Sequence, residues 1–383
     1  MGKHTCFYLL SSLIFNYELI SALEHGARAY PPHTGIARSR SFSTGLEISK
    51  NKNETNRTNV ASEETDYDVS LSGSLSLQEP EAKEKPFWTL TDTYVGNDFL
   101  SAFDFQAISD PTHGRVNYVN KSYALEHNLV SANFDSFVLR ADHTTILDPS
   151  GFGRDSVRIQ SRKSYDHHLA IFDIRHMPVG CGTWPAVWET GKSDWPMFGE
   201  VDILEGVNDQ GPNAMTLHTT ANCSMPENRE MTGVTTSTDC YWLSNFNEGC
   251  GVRVSKKNSY GIEFNAAGGG WYAMERTGIS IRVFFWSRHD PSVPLEVKFG
   301  GPVLDTNLWG VPDALFPNTE CDISSHFGNN NIIINLTFCG DWAGSPSAYD
   351  SSGCPGSCID YVNNNPSAFT DAYFNIAAIR VYQ

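Results

Sequence analysis

Across residues 86–383 the apolar side chains never keep a helical period for ten or more positions, and that absence constrains the fold more than any other feature of the chain. Strict alternation recurs instead. Ile279, Ile281, Val283 and Phe285 take every second place against Ser280, Arg282, Phe284 and Trp286. Successive strand side chains point to opposite faces, so this is the pattern of a strand with one face in a core. Asn331–Phe338 and Phe374–Tyr382 are further runs rich in β-branched and aromatic residues. Many strands joined by Gly, Asn and Pro turns over about 300 residues predict an all-β architecture, a two-sheet sandwich or jelly roll.

All nine tryptophans fall between Trp88 and Trp342, which marks residues 86–383 as the folded unit. Residues 30–85 are rich in Ser, Thr and Asn, hold no Cys or Trp and scatter charges of both signs. Such a stretch buries too little apolar surface to offset its ordering entropy, so it reads as a disordered linker or pro-region. Residues 1–29 carry Lys3 and His4, the apolar run Cys6–Phe15 and the end Ala27-Arg28-Ala29, the order of a secretory signal peptide. The run is too short to span a bilayer, although Leu19–Leu23 could extend it into a retained signal-anchor. The expectation is a secreted, extracellular or cell-wall protein with no membrane contact after cleavage. Sequons at Asn53, Asn56, Asn120, Asn222 and Asn335 agree with export and predict a glycoprotein.

Lys and Arg number 27 against 44 Asp and Glu, for a net charge of −17, and beyond residue 85 no basic run exceeds two residues. A nucleic-acid or anionic-membrane footprint is excluded, and a neutral substrate fits better. Of the nine cysteines, Cys6 lies in the N-terminal segment and the other eight (181, 223, 240, 250, 321, 339, 354 and 358) lie in the folded unit. An even set in an exported chain predicts disulfides, with the connectivity open. A zinc site is the competing reading, and it rests on the close spacing of Cys354 and Cys358.

The chemistry is concentrated in Gly199-Glu200-Val201-Asp202-Ile203-Leu204-Glu205-Gly206. In a plain strand Glu200 and Asp202 share a face with Leu204. A one-residue bulge at Ile203–Leu204 puts Glu205 on that face instead and turns Val201 and one or both of the other aliphatics to the core. Three carboxylates on one face repel, which a sequence shaped for stability alone avoids. With about four strand steps of ~3.3 Å between them, Glu200 and Glu205 have Cα atoms ~13 Å apart. Side chains leaning inward bring the carboxylates to ~5 Å, the separation of retaining glycosidases. Asp202 between them can share a proton and hold the two pKa values apart. A solvent-facing edge strand and a calcium site are the alternatives for the same residues.

Three tryptophans stand just upstream, Trp184 and Trp188 in Gly182-Thr183-Trp184-Pro185-Ala186-Val187-Trp188, and Trp195 in Asp194-Trp195-Pro196. A pyranose ring stacks its CH face on an indole, so tryptophans beside paired carboxylates suit a glycan cleft. Downstream, Met215-Thr216-Leu217-His218-Thr219 alternates like a neighbouring strand, from which His218 can reach a carboxylate or a sugar hydroxyl.

The segment Gly182–Thr219 resembles the catalytic core of glycoside hydrolase family sixteen, specifically the fungal laminarinase-like endo-β-1,3(4)-glucanases with their Glu-x-Asp-x-x-Glu signature after Gly-x-Trp-Pro-Ala-x-Trp. The resemblance continues through Gly268–Ala273, Phe285–Arg288, Asn331–Gly344 and Ile379–Tyr382, and so covers nearly all of residues 86–383. It implies a concanavalin A-like jelly-roll sandwich with a concave glycan-binding cleft. Carried over by position, it implies Glu200 as nucleophile, Asp202 as supporting carboxylate, Glu205 as general acid/base and His218 as auxiliary. Trp184, Trp188, Trp195, Trp286 and Arg288 are then expected to contact substrate. Phe198 departs from the pattern, since a small residue is expected before Gly199. The function implied is endo-acting, retaining hydrolysis of β-1,3 and mixed β-1,3/1,4 glucans by a monomer that needs no cofactor or metal, with an acidic optimum. A glucan transglycosylase of cell-wall remodelling and a non-catalytic, lectin-like glucan-binding domain are the competing readings.

Overall fold

The computed structural model describes residues 87–383; the signal-peptide reading of residues 1–29 and the linker reading of residues 30–85 fall outside the described residues. Two large antiparallel sheets are stacked on each other. One has eight strands in the order Val234–Thr235, Cys250–Arg253, Ala214–His218, Glu200–Glu205, Thr183–Thr190, Asn330–Phe338, Arg158–Tyr165 and Phe103–Phe105. The other, with nine strands, is built around Trp88–Tyr94, Tyr373–Tyr382, His168–His176, Gly270–Arg276, Ser280–Ser287 and Ala314–Pro317. The last described strand, Tyr373–Tyr382, pairs with the first, Trp88–Tyr94, which joins the two ends of the described chain within this sheet. Among the described residues no helix exceeds the seven residues of Cys358–Asn364, and none is long and apolar enough to cross a membrane.

The alternation that predicts strands also sorts residues between layers. Ile281, Val283 and Phe285 enter the core between the sheets, where they meet Val187, Val201, Leu217, Ile332 and Ile334 from the eight-stranded sheet. Fully burying each such side chain is worth about 1.5–3 kcal/mol. Their out-of-phase neighbours Phe284 and Trp286 lie on the far face of the nine-stranded sheet, in a second cluster with Trp88, Trp271 and Trp309. Among the described residues the outward face of the eight-stranded sheet has no such apolar cover, and it carries the acidic residues. The all-β jelly-roll sandwich is therefore the observed fold.

All eight cysteines of the folded unit are paired, as Cys181–Cys354, Cys223–Cys321, Cys240–Cys250 and Cys339–Cys358. The zinc reading of Cys354 and Cys358 falls with this, because each is bonded to a different partner. The Cys181–Cys354 bridge anchors the segment around residues 339–358 beside the start of the strand Thr183–Thr190, and Cys339–Cys358 closes that segment into a loop.

Candidate active site

The acidic strand Glu200–Glu205 lies in the interior of its sheet, paired on both sides, so the solvent-facing edge reading is excluded. Glu200 stands opposite His218 on one neighbour and Thr190 on the other, and Asp202 opposite Thr216 and Trp188. The register then slips. Leu204 pairs with Val187 and Glu205 with Ala186, leaving Ile203 as the extra residue of a bulge. Val201, Ile203 and Leu204 all enter the inter-sheet core, and the three carboxylates share the outward face as the spacing requires. Asn213 completes the bulge, its side-chain oxygen accepting from the Glu205 N–H at 2.9 Å and its NH2 donating to the Ile203 carbonyl at 2.9 Å. Gly199 is needed at the strand's entry, with φ +68° and a hypothetical Cβ only 2.3 Å from the Phe327 ring.

Glu200 and Glu205 are half-buried, whereas Asp202 is 3% exposed. The Trp195 indole N–H donates to Glu200 Oε2 at 2.7 Å, and the Trp184 indole N–H donates to Glu205 Oε1 at 2.8 Å. The side-chain donor atoms of Glu200, Asp202 and His218 lie within 4.8 Å of one another, with His218 Nε2 3.5 Å from Asp202 Oδ2. Burial raises all three acids above the ordinary carboxylate range, and mutual repulsion adds to this for Glu200 and Asp202. The indole bonds oppose the rise at Glu200 and Glu205. Burial pulls His218 the other way, down to about 4, so its ring is neutral at ordinary pH. The site therefore holds fewer than three negative charges near neutrality and keeps at least one carboxylic proton available for transfer.

Trp184, Trp188, Trp195 and His218 are brought to this face as the sequence predicts, and the tryptophans are held there by hydrogen bonds from their indole N–H groups. Two donate to the acids, and Trp188 donates to Asn335 Oδ1 at 2.7 Å while the Arg158 guanidinium lies 4.9 Å over its ring. Trp286 and Arg288 are not brought here, and the expectation that they contact substrate is corrected. Trp286 is 5% exposed in the cluster on the far face of the other sheet, packed against Phe284 and Trp309. Arg288 donates to Asp173 and to the Ile174 carbonyl, and its guanidinium sits 4.0 Å over Trp271. Phe198 is accommodated by glycines, since a Cβ at Gly191 would lie 2.6 Å and one at Gly328 2.7 Å from its side chain.

Sequence reasoning missed Arg158, Asn335, Asn247, Trp242 and Trp342. Trp342 stands edge-on to Trp184, and Trp242 edge-on to Trp195. Asn331, Asn335 and Thr337 interrupt an apolar run at alternate positions, a signal that one face of that strand is polar. The same geometry corrects one glycosylation expectation. Asn335 is buried on this face and bonded to Trp188 and Tyr118, whereas Asn120 and Asn222 are exposed.

A bulged acidic strand on the outward face of a two-sheet jelly roll defines a glycoside hydrolase of the family-sixteen type. The model of the XgeA-like, catalytic GH16 domain matches residues 103–382, and the chain belongs to this family. A probable glycosidase of Schizosaccharomyces pombe is 44% identical over 308 residues, which are 79% of this chain and 71% of that protein. A probable endo-1,3(4)-β-glucanase of Aspergillus niger is 43% identical over 306 residues, 77% of this chain but 40% of that protein, so the chain spans less than half of that relative. The GH16 laminarinase 16A of Phanerochaete chrysosporium, solved with 6-O-glucosyl-laminaritriose in its donor and acceptor sites, is 61% identical with a TM-score of 0.77, covering 78% of this chain and 100% of that one. An elongating GH family 16 β-1,3-glucosyltransferase is 41% identical with a TM-score of 0.72, covering 77% and 100%.

Proposed function

We propose that the protein is an endo-acting, retaining β-glucanase that hydrolyses β-1,3 and mixed β-1,3/1,4 glucans outside the cell or in the wall. The observation that carries this is the placement of Glu200 and Glu205 on one outward face of the bulged strand, each held by an indole N–H. In this reading protonated Glu205 gives its proton to the glycosidic oxygen as ionised Glu200 attacks the anomeric carbon. The leaving chain departs with that proton. Water then attacks the glycosyl-enzyme, Glu205 takes a proton from it, and Glu200 is released with the anomeric configuration retained. Asp202 stays protonated between them, which lowers the charge that Glu200 must share the site with. The relatives' names support the substrate class, and the four disulfides support export.

Reducing-end release from laminarin, mixed-linkage glucan and cellulose, with sizing of early products, tests the reading. Laminarin and mixed-linkage glucan should give a spread of oligosaccharides from the first minutes. Release from cellulose alone, or from none of the three, contradicts it. Transglycosylation is the second reading, favoured by the likeness to the elongating glucosyltransferase, and products longer than a defined oligosaccharide substrate would identify it. The presence of both glutamates speaks against a lectin-like role.

A further inference from the structure

The loop that joins Cys240 to Cys250 is closed at its base by the disulfide between them. Within it, three consecutive residues have left-handed backbones, Asn245 at φ 48°, Phe246 at 57° and Asn247 at 63°. Asparagine tolerates this region, but a bulky phenylalanine is a true outlier there. Phe246 is also fully exposed, so its ring gains no packing in exchange. Strain of this kind persists where surrounding structure imposes it, and it points to a function for what the turn delivers.

What it delivers is Asn247. Its side-chain Oδ1 lies 3.0 Å from His218 Nδ1, while Trp242 of the same loop braces Trp195, the donor to Glu200. An amide oxygen only accepts, so His218 carries its proton on Nδ1 and keeps a lone pair on Nε2. That lone pair faces Asp202 Oδ2 at 3.5 Å, a buried atom with no hydrogen-bond partner. A protonated Asp202 can donate toward this lone pair. The opposite tautomer would point an N–H at Asp202 and favour its ionised form, adding a charge beside Glu200 and Glu205 of the same strand.

We propose that Asn247 is a positioning residue for glucan hydrolysis: the disulfide-closed, left-handed turn holds its amide oxygen on His218 Nδ1 and so fixes the tautomer whose bare Nε2 keeps Asp202 protonated beside the nucleophile. This rests on the glucanase reading above.

The test uses the full chain. Imidazole 15N spectra near pH 7, with His218 assigned by its loss in His218→Gln, should show Nδ1 protonated and Nε2 bare. In Asn247→Ala the Nε2–H form should appear. Its kcat should fall about tenfold with KM within about twofold, because only an interaction that acts through the chemical step is lost. An Nε2–H tautomer in the wild type, or an Asn247→Ala enzyme with unchanged kcat, overturns the proposal. Absence of glucan hydrolysis by the wild type overturns the glucanase reading and this proposal together, whereas an active wild type with an indifferent Asn247→Ala overturns this proposal alone.

Discussion

Asp202 has the least water around it of the three acids and is raised well above the ordinary range, by burial first and then by Glu200 and Glu205. A carboxyl whose folded pKa lies above its unfolded value favours the fold fully below the ordinary carboxylate range, and that advantage is lost as pH rises through the folded pKa. Asp202→Asn should therefore raise the thermal midpoint, with a gain that grows between pH 4 and pH 8, while activity drops. A midpoint difference that is constant across this range would contradict the burial argument. The raised acid at Glu205 also carries its protonated form beyond the ordinary glutamate range of about 4.3, so the alkaline limb of kcat/KM should lie well above that value rather than close to it. The two glutamates separate by substrate. Glu200→Gln should abolish turnover on every glycoside. Glu205→Gln should keep activity on aryl glycosides, whose leaving group needs no proton. Near wild-type turnover in Glu200→Gln would refute its assignment to bond formation.

At the scale of the strand, the bulge at Ile203 is what brings Glu205 into line, and it leaves backbone groups that the neighbouring strands do not satisfy. Asn213 fills both gaps. Asn213→Ala should lower the thermal midpoint, since each buried backbone group left unpaired costs about 1–3 kcal/mol, and it should lower kcat because Glu205 is then loosely placed. A variant as stable and active as the wild type would show that the bulge holds without this bridge. The bulge itself is legible in the sequence, because Glu-x-Asp-x-x-Glu cannot present three acids on one strand face otherwise. Asn213, Asn247 and Asn335 were not legible. Their roles depend on which residues face them across turns or across strands far apart in the chain, and a lone asparagine carries no mark of that.

At the scale of the molecule, the sandwich has two outward faces with different fates. One is covered by an aromatic cluster that includes Trp271, Trp286 and Trp309, and the other, among the described residues, is left open with the acids on it. Alternation from Ile279 to Trp286 marked a strand but not which set is buried; Ile281, Val283 and Phe285 enter the core between the sheets, whereas Ile279 is exposed. Trp286 and Arg288 were expected at the substrate because their segment resembles the family, and a matching segment does not say which of the two sheets its strand joins. The disulfides were legible as a set and not as pairs, since pairing depends on the folded path. In the proposed reaction a glutamate on the acidic face attacks the anomeric carbon and water then replaces it. Proton NMR during the first minutes of hydrolysis of a β-1,3-glucan oligosaccharide tests this most directly. Two displacements predict that the β-anomer of the new reducing end appears first and the α-anomer only later by mutarotation; initial appearance of the α-anomer would contradict the account.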